Sequence, residues 1–198
     1  MTMSRTRRFV PLVLVGMFLS GLMFAAQEQA KTEKPAKEEF SGRVIMWAAG
    51  PLTGKTGRLF MTVDKWTTNE ERMQLYKTLK EGGPEEFRKA MEKMTAGYVR
   101  TSNSLRYPLS VASSFQTDKG RKIRLVTARP ILWAEVMGAT RSEEYEYGVI
   151  EFTLDEKGKG VGEGVVVPMA KVFFDKNGQL VVENLGTGPQ KLLSVSKD

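Results

Sequence analysis

The chain contains no cysteine and no histidine. The absence of cysteine excludes disulfide bonds and a lipid anchor attached through a cysteine, so the fold must be held by packing alone. The absence of histidine removes the commonest general base, the commonest metal ligand and every nucleophile that a histidine activates. Zinc and copper sites of the usual kind are excluded with it. We therefore predict no metal, no cofactor and no catalytic residue.

The first 30 residues have the pattern of a targeting segment. Arg5, Arg7 and Arg8 precede an apolar stretch over residues 9–26, which is the order of the charged and hydrophobic regions of a signal peptide. As a helix this stretch would be roughly 27 Å long, so a retained membrane anchor is the alternative. Signal peptides usually have a small residue three positions before the cleavage site, but each candidate site here has a large residue at that position. Cleavage is nevertheless favoured, and a Sec-type route is favoured over a twin-arginine route.

We predict from this segment that the protein is exported. Residues 1–30 are a signal peptide or an N-terminal anchor, and the protein is periplasmic or extracellular, tethered to the inner membrane by residues 9–26 if the segment is retained. Residues 31–39 (KTEKPAKEE) are charged and lack apolar periodicity, which predicts a flexible spacer. Residues 40–198 suit a single domain. The net charge is +7, but the basic residues are scattered, so no nucleic-acid partner is predicted.

The first half of the domain predicts two strands and two helices. Runs at 43–48 and 58–64 are rich in β-branched and aromatic residues and predict a β-hairpin. Thr68 and Glu71 have capping-box spacing, Gly82 and Gly83 favour a helix end, and Pro84 suits the start of a second helix, so an αα-hairpin is predicted. Its apolar faces are formed by Met73, Leu75, Tyr76 and Leu79 and by Phe87, Ala90, Met91 and Met94.

From Ala96 onward, apolar residues recur at every second position, which is the period of a β-strand. The alternation from Leu105 to Gln116 predicts one half-buried strand, and further strands are predicted at 121–128, 145–154, 161–174, 179–185 and 191–195. Short turns at 118–120, 155–158 and 175–178 join them, which indicates an antiparallel meander. Glycines at 160, 162 and 164 favour strong curvature.

The predicted fold class is therefore α+β. It is an antiparallel, strongly curved or barrel-like β-meander with the αα-hairpin inserted after the first two strands. The pattern is compatible with both an open sheet and a closed barrel.

Several short motifs resemble those of a family of uncharacterised exported proteins of environmental bacteria. They are the segments 66–72 (WTTNEER), 79–83 (LKEGG), 129–130 (RP), 141–142 (RS) and 158–160 (GKG). The resemblance covers the domain from about Phe40. It implies export and a single domain, and it implies no activity, cofactor or site residue.

Three motifs suggest chemistry that their surroundings do not favour. Residues 49–56 (AGPLTGKT) fit a loose phosphate-loop pattern, but strand-like residues follow where a helix is required, so a hairpin loop is favoured. The acidic turns at 155–158 and 175–178 lack the ligand spacing of a calcium loop. Glu143, Glu144 and Glu146 could mimic an acid–base pair, although a solvated acidic edge is favoured.

The most irregular stretch of the sheet region, residues 129–144, is the predicted ligand-binding site. Long connections that are not simple turns often carry function, and here Arg129, Trp133, Glu135 and Arg141 would form an aromatic surface with polar anchors. Ordinary packing of this connection is the alternative.

The leading hypothesis is a non-enzymatic envelope protein that binds an apolar or amphiphilic small molecule or a partner surface of an envelope protein. A structural or interaction protein with a filled core is the alternative, and a carboxylate-based enzyme is a distant third.

Overall fold

The computed structural model describes residues 37–46, 54–102, 104–131, 145–155, 162–174, 180–184 and 189–198. All of them belong to one folded unit within Lys34–Asp198. The predicted targeting segment 1–30 and most of the predicted spacer 31–39 lie outside the described residues. Within the described ranges, none of the helical structure has the length and apolar character needed to cross a bilayer.

The described chain forms one helix and ten strands. In chain order the elements are β1 (Glu38–Ile45), β2 (Thr56–Val63), α1 (Asn69–Glu92), β3 (Gly97–Thr101), β4 (Tyr107–Leu109), β5 (Val111–Thr117), β6 (Gly120–Thr127), β7 (Tyr147–Leu154), β8 (Gly162–Phe174), β9 (Leu180–Asn184) and β10 (Gln190–Lys197).

All ten strands belong to one antiparallel sheet that closes almost into a barrel. The strand order is β4-β3-β2-β1-β10-β8-β7-β6-β5, with β9 paired to the C-terminal end of β8. The predicted antiparallel, strongly curved sheet is therefore confirmed, including the hairpin of β1 and β2. The first strand begins at Glu38, inside the segment predicted as a spacer.

The two ends of this sheet meet at Ser110. β4 and β5 lie at opposite ends of the strand order, yet Ser110 is the one residue between them. Its backbone N–H donates to the carbonyl of Val126 at 2.8 Å, and the N–H of Thr67 donates to the carbonyl of Ala112 at 2.8 Å. The Thr67 hydroxyl accepts the N–H of Ala112 at 3.0 Å. These bonds hold the seam of the barrel together.

The predicted αα-hairpin is wrong, because the structure has a single helix, α1, in its place. Its start is as predicted: Thr68 and Glu71 form a reciprocal capping box, with bonds of 2.9 and 3.2 Å. Gly83, at φ 75° and ψ −173°, is the residue inside α1 that leaves helical geometry, and Pro84 follows it. An αα-hairpin needs a connection of about 2–5 residues. One residue produces a kink instead.

The core has two parts, one on each face of the sheet. The barrel interior is occupied by large side chains from strands around the barrel, including Phe40 and Phe152, whose rings pack edge to face at 5.4 Å. On the outer face, α1 buries Leu75, Leu79, Phe87 and Met91 against β5, β7 and β8. The helix therefore lies outside the barrel and leaves its interior to the strands.

Glycine allows β8 to approach β7 closely. A Cβ at Gly164 would lie 2.1 Å from the carbonyl oxygen of Glu151, and one at Gly162 would lie 2.4 Å from that of Thr153. No other residue type fits such contacts.

Candidate functional site

Of the four predicted site residues, Arg129 lies within the described part of the chain. Its guanidinium lies over the ring of Tyr107 at 4.3 Å, and its carbonyl accepts the Thr127 hydroxyl at 2.6 Å. Trp133, Glu135 and Arg141 lie outside the described residues. A site formed by these four residues therefore stays a prediction.

The other motifs are placed in part. Lys55 is followed directly by β2, so the helix that a phosphate loop requires does not start there. Residues 156–158 and 175–178 lie outside the described residues, and the strands that flank them pair as antiparallel hairpins. Glu146 lies 3.4 Å from the Nε atom of Arg88, whereas Glu143 and Glu144 are outside the described residues.

A cavity of about 550 Å³ lies between α1 and the outer face of the sheet. We call it the helix–sheet groove. Its floor is a row of valines that face one another across β5, β6 and β7, because the strand register pairs Val111 with Val126 and Val126 with Val149. Val172 of β8 and Val182 of β9 continue the apolar lining. The alternation of the strands thus supplies the floor of the groove.

The helix supplies the opposite wall. Leu75, Leu79, Phe87 and Met91 all line the groove and are buried. These four residues follow the helical period, so one face of α1 points at the sheet on both sides of the kink. The groove therefore lies between two apolar surfaces.

Large apolar side chains are exposed at the mouth of the groove. Met73 is 65% exposed, Val182 43%, Tyr76 38% and Phe115 37%. Four exposed apolar residues thus line one cavity, and exposed apolar patches often mark binding sites.

One arginine at the mouth has no carboxylate partner among the described residues. The Arg72 guanidinium lies over the Phe115 ring at 5.1 Å, and its Nη2 atom donates to Asn69 Oδ1. In the part of the chain that the structure describes, no acidic side chain lies within ion-pair distance of Arg72. Arg72 is thus a partly buried cation beside an apolar opening.

The second arginine of the groove is already paired. Arg124 donates to Glu151 Oε2 from Nε at 2.8 Å and from Nη2 at 2.6 Å, and Lys122 contacts Glu151 Oε1 at 2.7 Å. Burial raises the pKa of Glu151, but the hydrogen bonds from Lys122 and Arg124 outweigh it and hold this pKa below its ordinary value of 4.5. Glu151 therefore stays ionised and neutralises Arg124.

A tyrosine beside the groove is unsuited to acid–base work. The Tyr147 ring packs edge to face against Phe87 at 5.5 Å, and its buried hydroxyl has no hydrogen-bond partner among the described residues. Burial, with a smaller contribution from Glu146, raises the pKa of Tyr147 far above its ordinary value of 10.0. A phenol that resists deprotonation in this way cannot act as a base near neutral pH.

Among the described residues, no group of three or more acidic side chains could hold a metal ion.

No family model, curated protein or solved structure matches this chain. The function is therefore inferred from the groove itself.

The groove is not predictable from the alternation of residues along β4 and β5. The interior positions of β4 are Tyr107 and Leu109, and continued alternation would place Val111 inside the barrel as well. Ala112 takes the interior position instead, so Val111 faces α1. The residues that line the groove from β5 are therefore the ones that simple alternation would place inside the barrel.

Proposed function

We propose that this protein is a non-enzymatic binding protein for an amphiphile, with the apolar body of the ligand in the helix–sheet groove and its anionic head at Arg72. The groove supports the proposal because its volume of about 550 Å³ lies in the range of known ligand sites, about 300–1,000 Å³. Like such sites, it combines mostly apolar walls with a few polar groups at one edge.

The arrangement at the mouth favours an anionic head over a neutral one. Arg124 already has Glu151 as its partner, whereas Arg72 has an amide oxygen and an aromatic ring. A carboxylate or sulfate would give Arg72 an ionised acceptor in addition to the Asn69 amide oxygen. The ligand class we propose is therefore a single-chain amphiphile with one negative charge.

A chain-length series tests the groove. We would titrate the purified full chain with octanoate, decanoate and dodecanoate by calorimetry and examine it by native mass spectrometry. A buried methylene contributes about 0.8 kcal/mol, close to a fourfold change in Kd. Affinity should therefore rise about fifteenfold for each added pair of methylenes until the groove is full.

Two matched valine substitutions locate the binding. V182W fills the mouth, since Val182 lines the groove and is 43% exposed. V165W adds the same volume to another strand residue of similar exposure, 37%, that does not line the groove. V182W should weaken dodecanoate binding at least tenfold, and V165W should leave it unchanged. A bare mass, with no thermal shift across a lipid panel, would overturn the proposal.

A third substitution tests the head group. Arg72→Gln should weaken binding of dodecanoate and leave binding of dodecanol unchanged, because the alcohol carries no charge for Arg72 to neutralise. Equal losses for both ligands would count against Arg72 as the anchor.

The second candidate function is that of an interaction protein without a small-molecule ligand. The side chains that fill the barrel interior, including the fully buried Phe40, Leu59 and Phe152, favour it, since a ligand inside the sheet would have to displace them. A photo-crosslinking residue at position 182 separates the two candidates. Crosslinks to an envelope protein, together with a bare native mass, would favour the interaction protein.

We also propose that the protein acts outside the cytoplasm. The charged start and the apolar stretch at 9–26 support export. N-terminal sequencing of the mature protein would distinguish a cleaved signal peptide from a retained anchor, and an intact N-terminus on a cytoplasmic protein would contradict export.

A further inference from the structure

A second cavity, of about 430 Å³, lies on the outer face of the sheet where β10, β1 and β2 run side by side. We call it the basic pocket. Its polar lining consists of two arginines and four hydroxyl side chains, namely Arg43, Arg58, Ser41, Thr56, Ser194 and Ser196. None of these residues lines the helix–sheet groove, so this pocket can be tested independently of the proposed function.

The strand register brings the two arginines together. In the antiparallel pair of β1 and β2, Arg43 is directly opposite Arg58. Like charges at directly opposed positions destabilise a sheet. Both side chains are exposed, and within the described part of the chain neither has a carboxylate at ion-pair distance. The fold thus places two cations beside each other, with no counterion among the residues that the structure describes.

The acidic groups nearest to the pocket in sequence are already engaged. Asp198 accepts a hydrogen bond from the Ser41 hydroxyl at 2.9 Å. Glu39 pairs with Lys37 at 2.6 Å. Lys37 balances the charge of Glu39, and Asp198 is bonded to a serine, so neither carboxylate forms an ion pair with Arg43 or Arg58.

The third strand of the pocket is distorted where it contributes its serines. Ser194 has φ 52°, a left-handed conformation that no other non-glycine residue in the described ranges adopts. The pairing of β10 shifts register here against both of its neighbours, β1 and β8. Bulges of this kind redirect side chains and are common beside binding sites. Here the bulge places Ser194 and Ser196 along the same cavity as the two arginines.

We propose that the basic pocket binds a phosphate group carried by a small molecule or a lipid headgroup. Two guanidinium groups can each bind phosphate oxygens in bidentate fashion, and the hydroxyls of Thr56, Ser194 and Ser196 can donate to the remaining oxygens. The volume of about 430 Å³ leaves room for an organic group attached to the phosphate. A bound phosphate would also relieve the repulsion between Arg43 and Arg58.

The test follows thermal stability in phosphate-free buffer. For the full chain, inorganic phosphate should raise Tm in a saturable manner and beyond the effect of sodium chloride at equal ionic strength. R43Q and R58Q should each weaken the apparent affinity for phosphate about tenfold. R106Q is the matched control, because Arg106 is exposed, lies outside the pocket and stacks on Tyr98. It should bind phosphate as the wild type does.

A second readout measures the effect on Tm of the repulsion between Arg43 and Arg58. Without phosphate, R43Q and R58Q should have a Tm equal to or above that of the wild type, because each removes one of two opposed positive charges. Far-UV circular dichroism confirms that the variants fold. Broadening of the phosphate ³¹P resonance by the wild type, lost in the R43Q/R58Q double variant, is a measurement of binding that does not depend on Tm.

Vesicle flotation distinguishes the two sources of phosphate. Flotation with phosphatidic acid that falls in R43Q and R58Q and is competed by inorganic phosphate supports the pocket and assigns a headgroup. If the protein binds phosphate saturably but the wild type floats with phosphatidic acid no better than R43Q and R58Q do, the pocket is supported and its ligand is a soluble phosphorylated molecule. A Tm rise that chloride reproduces, or phosphate binding that survives in the double variant, overturns the proposal.

Discussion

Replacing Glu38 with glutamine tests the cluster of charges at the end of the barrel where β1 begins. The Glu38 carboxylate accepts hydrogen bonds from Arg121 at 2.7 and 3.0 Å, from Lys197 at 3.0 Å and from the Trp66 indole at 3.1 Å. Arg121 also donates to Ser114 at 2.8 Å and lies over the Trp66 ring at 4.9 Å. Since β1 and β6 are not neighbours in the sheet, this cluster links strands that share no backbone hydrogen bonds.

The loss of unfolding free energy that we expect for E38Q lies between two limits. A hydrogen bond to a charged group contributes about 1.5–3 kcal/mol, and breaking a fully buried ion pair costs about 3–5 kcal/mol. The Glu38 side chain is 12% exposed and that of Arg121 is 27% exposed, so water would partly solvate the arginine in the variant. We therefore expect E38Q to lower the free energy of unfolding by about 2–3 kcal/mol.

Equilibrium unfolding in urea, followed by far-UV circular dichroism, measures the difference. The neighbouring residue offers a matched control, because the Glu39 side chain is 49% exposed and pairs with Lys37 at the surface. E39Q should change the free energy of unfolding very little, because exposed ion pairs contribute little to stability. If E38Q and E39Q differed by less than about 0.5 kcal/mol, the cluster would be a solvated surface feature and the reasoning would be refuted.

The pH dependence of this difference has a defined sign. Burial raises the pKa of Glu38, but the hydrogen bonds from Arg121 and Lys197 outweigh it, so the pKa of the folded protein lies below the ordinary 4.5. The unfolded chain therefore takes up this proton first as the pH falls. The stabilisation is fully present above the unfolded pKa and is lost as the pH falls through the folded pKa. The gap between wild type and E38Q should accordingly be constant near neutral pH and narrow below about pH 4.5.

Two further predictions concern the barrel itself. T67V should lower the free energy of unfolding by about 1–3 kcal/mol, since it removes the acceptor of the buried Ala112 N–H, and hydrogen exchange at Ala112 should accelerate in T67V and not in T67S. Unchanged exchange would contradict this. G164A should destabilise by about 3 kcal/mol or more, because its Cβ would meet the Glu151 carbonyl at 2.1 Å. In G57A the nearest contact is 3.6 Å, so thermal unfolding should hardly change.

Features set by neighbouring residues could be predicted from the sequence. The capping box of Thr68 and Glu71, the turn between β5 and β6, and the hairpin of β1 and β2 all depend on short-range patterns, and all three are confirmed. The Gly-Gly-Pro sequence at 82–84 correctly marked a break in the helix but not its extent. A glycine at positive φ can kink a helix or end it, and the sequence pattern is the same for both.

Features set by distant residues could not be predicted in this way. The predicted strand from Leu105 to Gln116 is two strands, and Leu105 is 83% exposed. The change of face at Ser110 depends on where the ends of the sheet meet, which no local alternation encodes. β3 was not predicted because its five residues carry a single strongly buried apolar side chain, Val99. The groove, too, is assembled from α1 and the five strands β5 to β9, which are spread over more than half of the described domain.

The pairing of β1 with β10 has a consequence for how the chain reaches its fold. β1 can form its bonds to β2 as soon as the first hairpin exists, but its other edge pairs with the last strand, where the N–H of Asp198 reaches the carbonyl of Glu39 at 2.9 Å. Such long-range closure is slow, and an unpaired strand edge can recruit another chain. During synthesis and any membrane transit, one edge of β1 therefore stays unpaired until β10 is available to pair with it. Until then this edge can promote aggregation.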